Sequence, residues 1–207
     1  MQLHQNELAA SDLTALSLDV GDLALDFKLS NAFGNLVRLG CLLKQGPVVV
    51  SFYRGEWCPY CNLELQALQQ VLPDIYQRDA QLVAISPQVT DKSLSTLEKN
   101  SLAFEVLSDF NNIVARHFGL VFQLPQDLQD VYQGLGIDLK ISNGDDRFEL
   151  PVPATFVIDP QSVIRYAFVN IDYRQRAEPD EILEVLDKIK AESSVAIKEL
   201  KALIENS

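Results

Sequence analysis

Positive charge is scarce in this chain of 207 residues: 17 Lys and Arg stand against 29 Asp and Glu, a net charge of −12. Nucleic-acid phosphates and anionic lipid surfaces would be repelled, so neither is an expected partner. No uninterrupted apolar run approaches the roughly 20 residues that a membrane-spanning helix requires. The opening Met1-Gln2-Leu3-His4-Gln5-Asn6-Glu7 has neither the basic nor the apolar region of a secretory signal. Cysteine is scarce too, at three residues, and an odd count without an export signal does not suit a secreted disulfide framework. A cytoplasmic setting is expected, with the cysteines serving catalysis rather than structure. Histidine is limited to His4 and His117. The acidic stretch around Asp145, Asp146 and Glu149 lacks the ligand spacing of a calcium loop and reads as solvent-facing. No metal or other cofactor is expected. Repeats and low-complexity tracts are absent as well.

What is present is an ordinary globular composition, 47% hydrophobic and 22% charged, with enough apolar material for a sizeable core. It also contains the run Trp57-Cys58-Pro59-Tyr60-Cys61. An apolar, strand-like segment, Val48-Val49-Val50-Ser51-Phe52-Tyr53, precedes the run, and a helical segment from Asn62 follows it. Cysteines three apart at a strand-to-helix junction are neighbours and can close a disulfide with little backbone change. The first thiol, Cys58, faces the unpaired N–H groups and positive end of the helix, which favour thiolate. Pro59 fits the first helical position, where no N–H is needed. Reversible two-electron thiol chemistry is the reading that suits this pattern. Two alternatives compete: inert core cysteines, and half of a zinc site. Zinc requires about four ligands, and Cys41, His4 and His117 do not stand at ligand spacing.

The rest of the chain reads as mixed α/β. Residues 1–19 form a polar arm. Segments 25–29 and 36–39 flank a hairpin turn at 30–35. The helix after Cys58 carries Cys61, Leu65, Leu68 and Leu72 on one face, and Pro73 is expected to kink it without ending it. Strands follow at 82–85 and 104–107, with a helix between them capped by Asp91 and another, capped by Asp109, running to Phe118. Residues 124–144 form a loop-rich insertion with a helix over 126–133. A hairpin spans 154–158 and 163–168. The last helix places Ile182, Val185, Leu186 and Ile189 on one face and extends through a tail, 193–207, whose apolar stripe needs a partner. The main domain is 20–192.

These segments together resemble the thioredoxin fold in its peroxiredoxin-like branch, the alkyl hydroperoxide reductase/thiol-specific antioxidant family. Val20-Gly21-Asp22 with Ala24, Asp26 and Phe27 resembles that family's opening hairpin, with Leu25 where the family has proline. Residues 49–55 resemble the strand leading to its cysteine, and Pro153-Ala154-Thr155-Phe156-Val157-Ile158-Asp159 resembles the later strand that faces the site. The resemblance implies a central mixed sheet flanked by helices, with an N-terminal β-hairpin and a C-terminal helix. It implies that Pro153 is cis and lies against the cysteine pair, and that Val152 offers backbone groups to a substrate. It departs where the family places a threonine and an arginine beside its reactive cysteine: Gly55 and Pro153 stand there. Arg54 is the candidate replacement cation, and Trp57 and Tyr60 are candidates to shield the pair or to pack.

The expected activity is that of a thiol-dependent peroxidase. Cys58 attacks a hydroperoxide, becomes a sulfenic acid and closes a disulfide with Cys61, which a thioredoxin- or glutathione-type donor reduces. The rival is a thiol–disulfide oxidoreductase in which Cys58 attacks a protein or glutathione disulfide. A third reading is a non-enzymatic redox-sensing or metal-carrying module. A Cys–His hydrolase using His117 leaves the second cysteine without a role. Cys41 is expected to pack, Glu64 to be solvated, and a homodimer is compatible with all of this.

Overall fold

Residues 16–205 are described by a computed structural model; the first 15 residues of the expected arm lie outside the described residues. Alternation in the apolar segments builds the central layer. Seven strands lie in the order β2 (Leu36–Arg38), β1 (Lys28–Asn31), β5 (Glu105–Ser108), β4 (Gln81–Ser86), β3 (Val48–Phe52), β8 (Ala154–Ile158), β9 (Ile164–Val169). The β3–β4 and β4–β5 pairs are parallel and the rest antiparallel. β3 lies inside the sheet, between β4 and β8, and is buried on both faces, as its continuous apolar run requires. Successive side chains point to opposite faces. Val49 and Tyr53 therefore join Leu82, Ala84, Val106 and Val157 in one core, while Val48, Val50 and Phe52 join Val83, Ile85, Leu107 and Phe156 in the other.

The first core is closed by α2 (Pro59–Gln70), α3 (Leu72–Gln77) and the long α8 (Pro179–Glu205), through Leu65, Leu68, Ile75, Ile182, Leu186 and Ile189. The second is closed by α1 (Leu39–Leu43) and α5 (Ile113–His117). Phe118 sits there between Phe52 and Phe156, with ring centroids 5.0 Å from each. The two reactive-site cysteines belong to the first core. Cys41 is exposed on α1, whose buried leucines face the second core, so the sheet separates it from the pair. The expectation that Cys41 packs is thus corrected: apolar positions 39 and 43 turn inward and leave 41 in solvent.

Local chemistry adjusts several other expectations. Pro73 does more than kink its helix. The chain leaves α2 at Val71 (φ −94°, ψ 5°) and restarts as α3, with Pro73 in the first turn, where its missing N–H is harmless. The helix expected from Asp91 is α4 (Thr90–Lys99), preceded by Val89, with Asp91 inside the first turn. Asp109 does cap α5, accepting hydrogen bonds from the N–H groups of Val114 and Ala115 at 3.0 and 2.8 Å across a short 3₁₀ turn.

The insertion is more ordered than its polar sequence suggests. A two-stranded ribbon, β6 (Val121–Gln123) with β7 (Glu149–Pro151), brackets α6 (Gln126–Gly134) and α7 (Leu139–Asn143). Leu124, Leu139 and Leu150 form a small core beneath it, against which Trp57 and Tyr132 pack. The acidic stretch is likewise tied down: Arg147 pairs with Asp145, and Arg116 with Glu149. The tail continues α8 as far as Glu205, residues 206 and 207 lying outside the described residues, and no helix of the described residues is long and apolar enough to cross a membrane.

Candidate active site

The end of β3 delivers the reactive segment. After Phe52 the chain turns through Tyr53-Arg54-Gly55, and α2 begins at Pro59 with Cys58 as the residue before it, in extended conformation (φ −87°, ψ 111°). Cys58 N–H donates to Gly55 O at 3.1 Å, and Asn62 N–H donates to Cys58 O at 3.1 Å, which fixes the first turn. Gln88, fully buried, braces this turn. Its Oε1 accepts from Glu56 N–H at 3.0 Å, and its amide nitrogen donates to Ser142 Oγ of α7 at 3.0 Å. Cys58 and Cys61 are both free thiols with no solvent exposure.

Two arginines, Arg54 buried and Arg176 half-buried, reach the two sulfurs separately. Arg54 Nη2 donates to Cys58 Sγ at 3.2 Å, and Nη1 donates to Tyr132 Oη of α6 at 3.1 Å. The guanidinium lies over the Tyr173 ring at 4.3 Å and the Trp57 ring at 5.3 Å. Arg176, from the loop before α8, places Nη2 3.5 Å from Cys61 Sγ and Nε 2.7 Å from Glu64 Oε2. Thr155 Oγ1 of β8 donates to Glu64 Oε1 at 3.3 Å. Glu64 is therefore a buried partner of the site and not the solvated residue expected; it stands one helical turn beyond Cys61 on the same inward face.

These contacts set the ionisation of the pair in opposite directions. The Cys61 S–H donates to Cys58 and, against the effect of burial, joins the Arg54 charge in bringing the Cys58 thiol down to about 5. The Cys61 backbone N–H adds least, its alignment falling short of a hydrogen bond. Burial, donation to Cys58 and the Cys58 charge together push the Cys61 thiol well up. Burial also pushes the Glu64 carboxyl up to about 7, against the pull of Arg176 and Thr155. Cys58 is the thiolate and Cys61 the protonated neighbour, in keeping with the order expected from the sequence.

Pro153 and Val152 are buried between β7 and β8, but not in the expected manner. No peptide bond among the described residues is cis, and Val152 N–H is taken by Leu120 O at 2.8 Å. That tether carries the chain on from the β6–β7 ribbon in trans and leaves the N–H unable to serve a substrate. His117 lies exposed on α5, with the second core, away from the pair. Tyr60 is partly exposed and stacks edge-on against Tyr173, while Trp57 packs edge-on against Tyr132. Gly55 adopts φ +151°, and a Cβ there would fall 2.5 Å from Trp57 Nε1, so no threonine side chain fits.

Sequence reading missed Glu64, Tyr132, Thr155, Tyr173 and Arg176. For Glu64 a signal existed, a carboxylate in the buried stripe of Cys61, Leu65 and Leu68. For the others nothing local marks them, since the β9–α8 loop and the insertion reach the site only through the fold.

A dithiol at the end of an interior strand of this sheet, one sulfur ionised and the other protonated, defines a thioredoxin-fold thiol oxidoreductase. The comparisons narrow this. The AhpC/TSA family model matches residues 20–167. A Helicobacter pylori protein bearing the name peroxiredoxin bcp is 27% identical over 169 residues, which is 82% of this chain and 98% of that one. A Buchnera aphidicola protein of the same name is 33% identical over 104 residues, 50% of this chain and 65% of that one. The crystal structure of peroxidoxin BcpB from Mycobacterium tuberculosis superposes with a TM-score of 0.67 at 25% identity, covering 83% of this chain and 98% of that one. The chain belongs to the AhpC/TSA family, the peroxiredoxins, and is a thiol-dependent peroxidase.

Proposed function

We propose that the protein reduces small hydroperoxides in the cytoplasm with Cys58 as nucleophile and Cys61 as resolving thiol, and that a thioredoxin-type dithiol regenerates it. The observation that carries this reading is the Arg54–Cys58 contact of 3.2 Å within a buried site. A cation held there stabilises thiolate and faces the oxygen that arrives at the sulfur. Arg54 Nε and Trp57 Nε1 are buried donors with no acceptor among the described residues, available to a peroxide oxygen in place of the family's threonine. The attack forms an S–O bond and breaks the O–O bond, and the departing alkoxide or hydroxide takes a proton to leave as alcohol or water. Complete burial of both sulfurs favours a small oxidant over a protein disulfide.

Thiol–disulfide exchange is supported by a different observation: Gly55 and Pro153 supply no side-chain donor, and attack on a disulfide needs no polarised O–O bond. One experiment separates the two. Anaerobically reduced protein is mixed with hydrogen peroxide, and with glutathione disulfide in parallel, while the fluorescence of Trp57, the single tryptophan, is followed. Peroxidase chemistry gives a second-order change with peroxide that Cys58→Ser abolishes. Inertness to peroxide with rapid oxidation by glutathione disulfide hands the function to the second reading.

A further inference from the structure

Arg176 is placed with unusual completeness for a loop residue. Nη1 donates to the carbonyls of Tyr173 and Gln175, the latter at 2.7 Å, so the guanidinium is tied to its own loop. Nε meets Glu64 at 2.7 Å, and only Nη2 is left for Cys61 Sγ, at 3.5 Å. Both partners of the ion pair are largely buried, with side-chain exposures of 13% for Arg176 and 4% for Glu64. Glu64 is held in turn by Thr155 of the central sheet. The nucleophile has its own arginine, Arg54; this second one addresses only the second sulfur.

The geometry points to Arg176 as the catalytic cation of the resolving step: it stabilises the Cys61 thiolate that closes the disulfide, and Glu64 is the positioning residue that holds it there. This rests on Cys58 being the nucleophile and Cys61 the resolving thiol. In the reduced protein Cys61 is kept protonated by burial, by donation to Cys58 and by the Cys58 negative charge. Oxidation of Cys58 to a neutral sulfenic acid removes the last two influences together. Burial is then opposed by the Arg54 backbone N–H and by the Arg176 charge, both of which favour thiolate, and the balance at Cys61 swings towards thiolate when a thiolate is needed. Cys61 Sγ then attacks the Cys58 sulfur, the S–S bond forms as the S–O bond breaks, and the oxygen leaves as hydroxide. That hydroxide takes up the proton Cys61 released, so one water departs, and the two-electron oxidation first carried by Cys58 alone is shared by both sulfurs of the disulfide. The charged and titratable groups facing Cys61 are Cys58, Arg54, Arg176, Glu64 and Tyr53; only Arg176 among them is a cation in hydrogen-bond reach of its sulfur.

The test is stopped-flow oxidation by hydrogen peroxide across a range of pH, resolving the peroxide-dependent step from the peroxide-independent closure. Dimedone trapping with peptide mass spectrometry reports which sulfur becomes sulfenic acid. An opposite charge at this range moves an ionisation by about 1–3 pH units, so Arg176→Gln should slow closure about tenfold or more relative to oxidation and move its rising limb to higher pH. Sulfenic acid at Cys58 then accumulates, and Arg176→Lys recovers part of the closure rate. Glu64→Gln keeps the cation but loosens its anchor, so closure slows by a smaller factor; this variant carries the test if Arg176→Gln does not fold. Equal slowing of both steps, or closure unaffected in the folded variants, overturns the inference. A dimedone adduct on Cys61 in the unmodified protein also overturns it, by removing its premise, and is recognisable because it needs no Arg176 variant.

Discussion

Replacing Arg54 with Gln tests the foundation of the site. At 3.2 Å and an effective dielectric of about 20, the bare attraction between guanidinium and thiolate is about 5 kcal/mol, an upper bound before desolvation is counted. Measured effects of an adjacent opposite charge are smaller, about 1–3 pH units or about 1.4–4 kcal/mol. The Cys58 thiol, at about 5 in the native site, would then titrate at about 6–8 in the variant. At pH 7 the thiolate fraction falls from about 99% to between about 90% and 10%, a loss of at most about tenfold. At pH 5.5 the same shift gives a deficit of about 3- to 200-fold, because the native site is still mostly ionised there. A second, pH-independent loss is expected if Arg54 also stabilises charge developing on the leaving oxygen, of the order of 10²–10³ by analogy with oxyanion holes. Thiolate ultraviolet absorbance against pH gives the first quantity, and the peroxide oxidation rate above pH 8.5 isolates the second. An unchanged thiolate titration in Arg54→Gln, with the protein folded, refutes the reasoning: the Cys61 S–H would then be sufficient alone.

In native, reduced protein, Cys41 should alkylate fast and singly, and mild peroxide should yield a Cys58–Cys61 disulfide with Cys41 still free; peptide mapping decides both, and a Cys41 crosslink contradicts them. Glu64, raised from 4.5 to about 7, keeps its proton longer in the folded state than in the unfolded one. Its contribution to stability is therefore present below about pH 4.5 and lost as pH rises through about 7, and Glu64→Gln should lack that segment of the slope of Tm against pH. Leu186→Ala, which empties a fully buried position between α8 and the sheet, should cost about 2–5 kcal/mol in denaturant unfolding; a loss below about 1 kcal/mol would mean that α8 is not docked there.

What the sequence revealed was whatever is encoded locally. The alternation around Val48 and Phe52, the 3.6-residue stripe from Cys61 to Leu68, and a cysteine pair at a strand-to-helix junction each carry their meaning within about a dozen residues. Arg54 was legible as a candidate for the same reason, lying four residues from Cys58. What stayed hidden depends on where distant segments land. Arg176 is 115 residues from Cys61, and its role is set by the β9–α8 loop folding over α2. Tyr132 sits on a polar-looking helix whose packing on Trp57 follows from Leu124, Leu139 and Leu150 forming a separate small core. Glu64 was misread because a carboxylate is nearly always solvated; only the arrival of Arg176 and Thr155 makes its burial affordable.

The contact between Gly55 and Trp57 limits how this site could change over evolutionary time. Threonine at position 55 would need a left-handed backbone that side chains resist, and would also strike the indole nitrogen at 2.5 Å. Trp57 in turn is held by Tyr132, and Tyr132 by Arg54. Neighbouring sequences that reach a threonine-bearing site by single, individually tolerated steps must therefore first release the indole, disturbing the very residues that orient the guanidinium. Substitutions at 55, 57, 132 and 54 are predicted to be strongly epistatic, so the two ways of building the site are separated by a valley of poorly active intermediates.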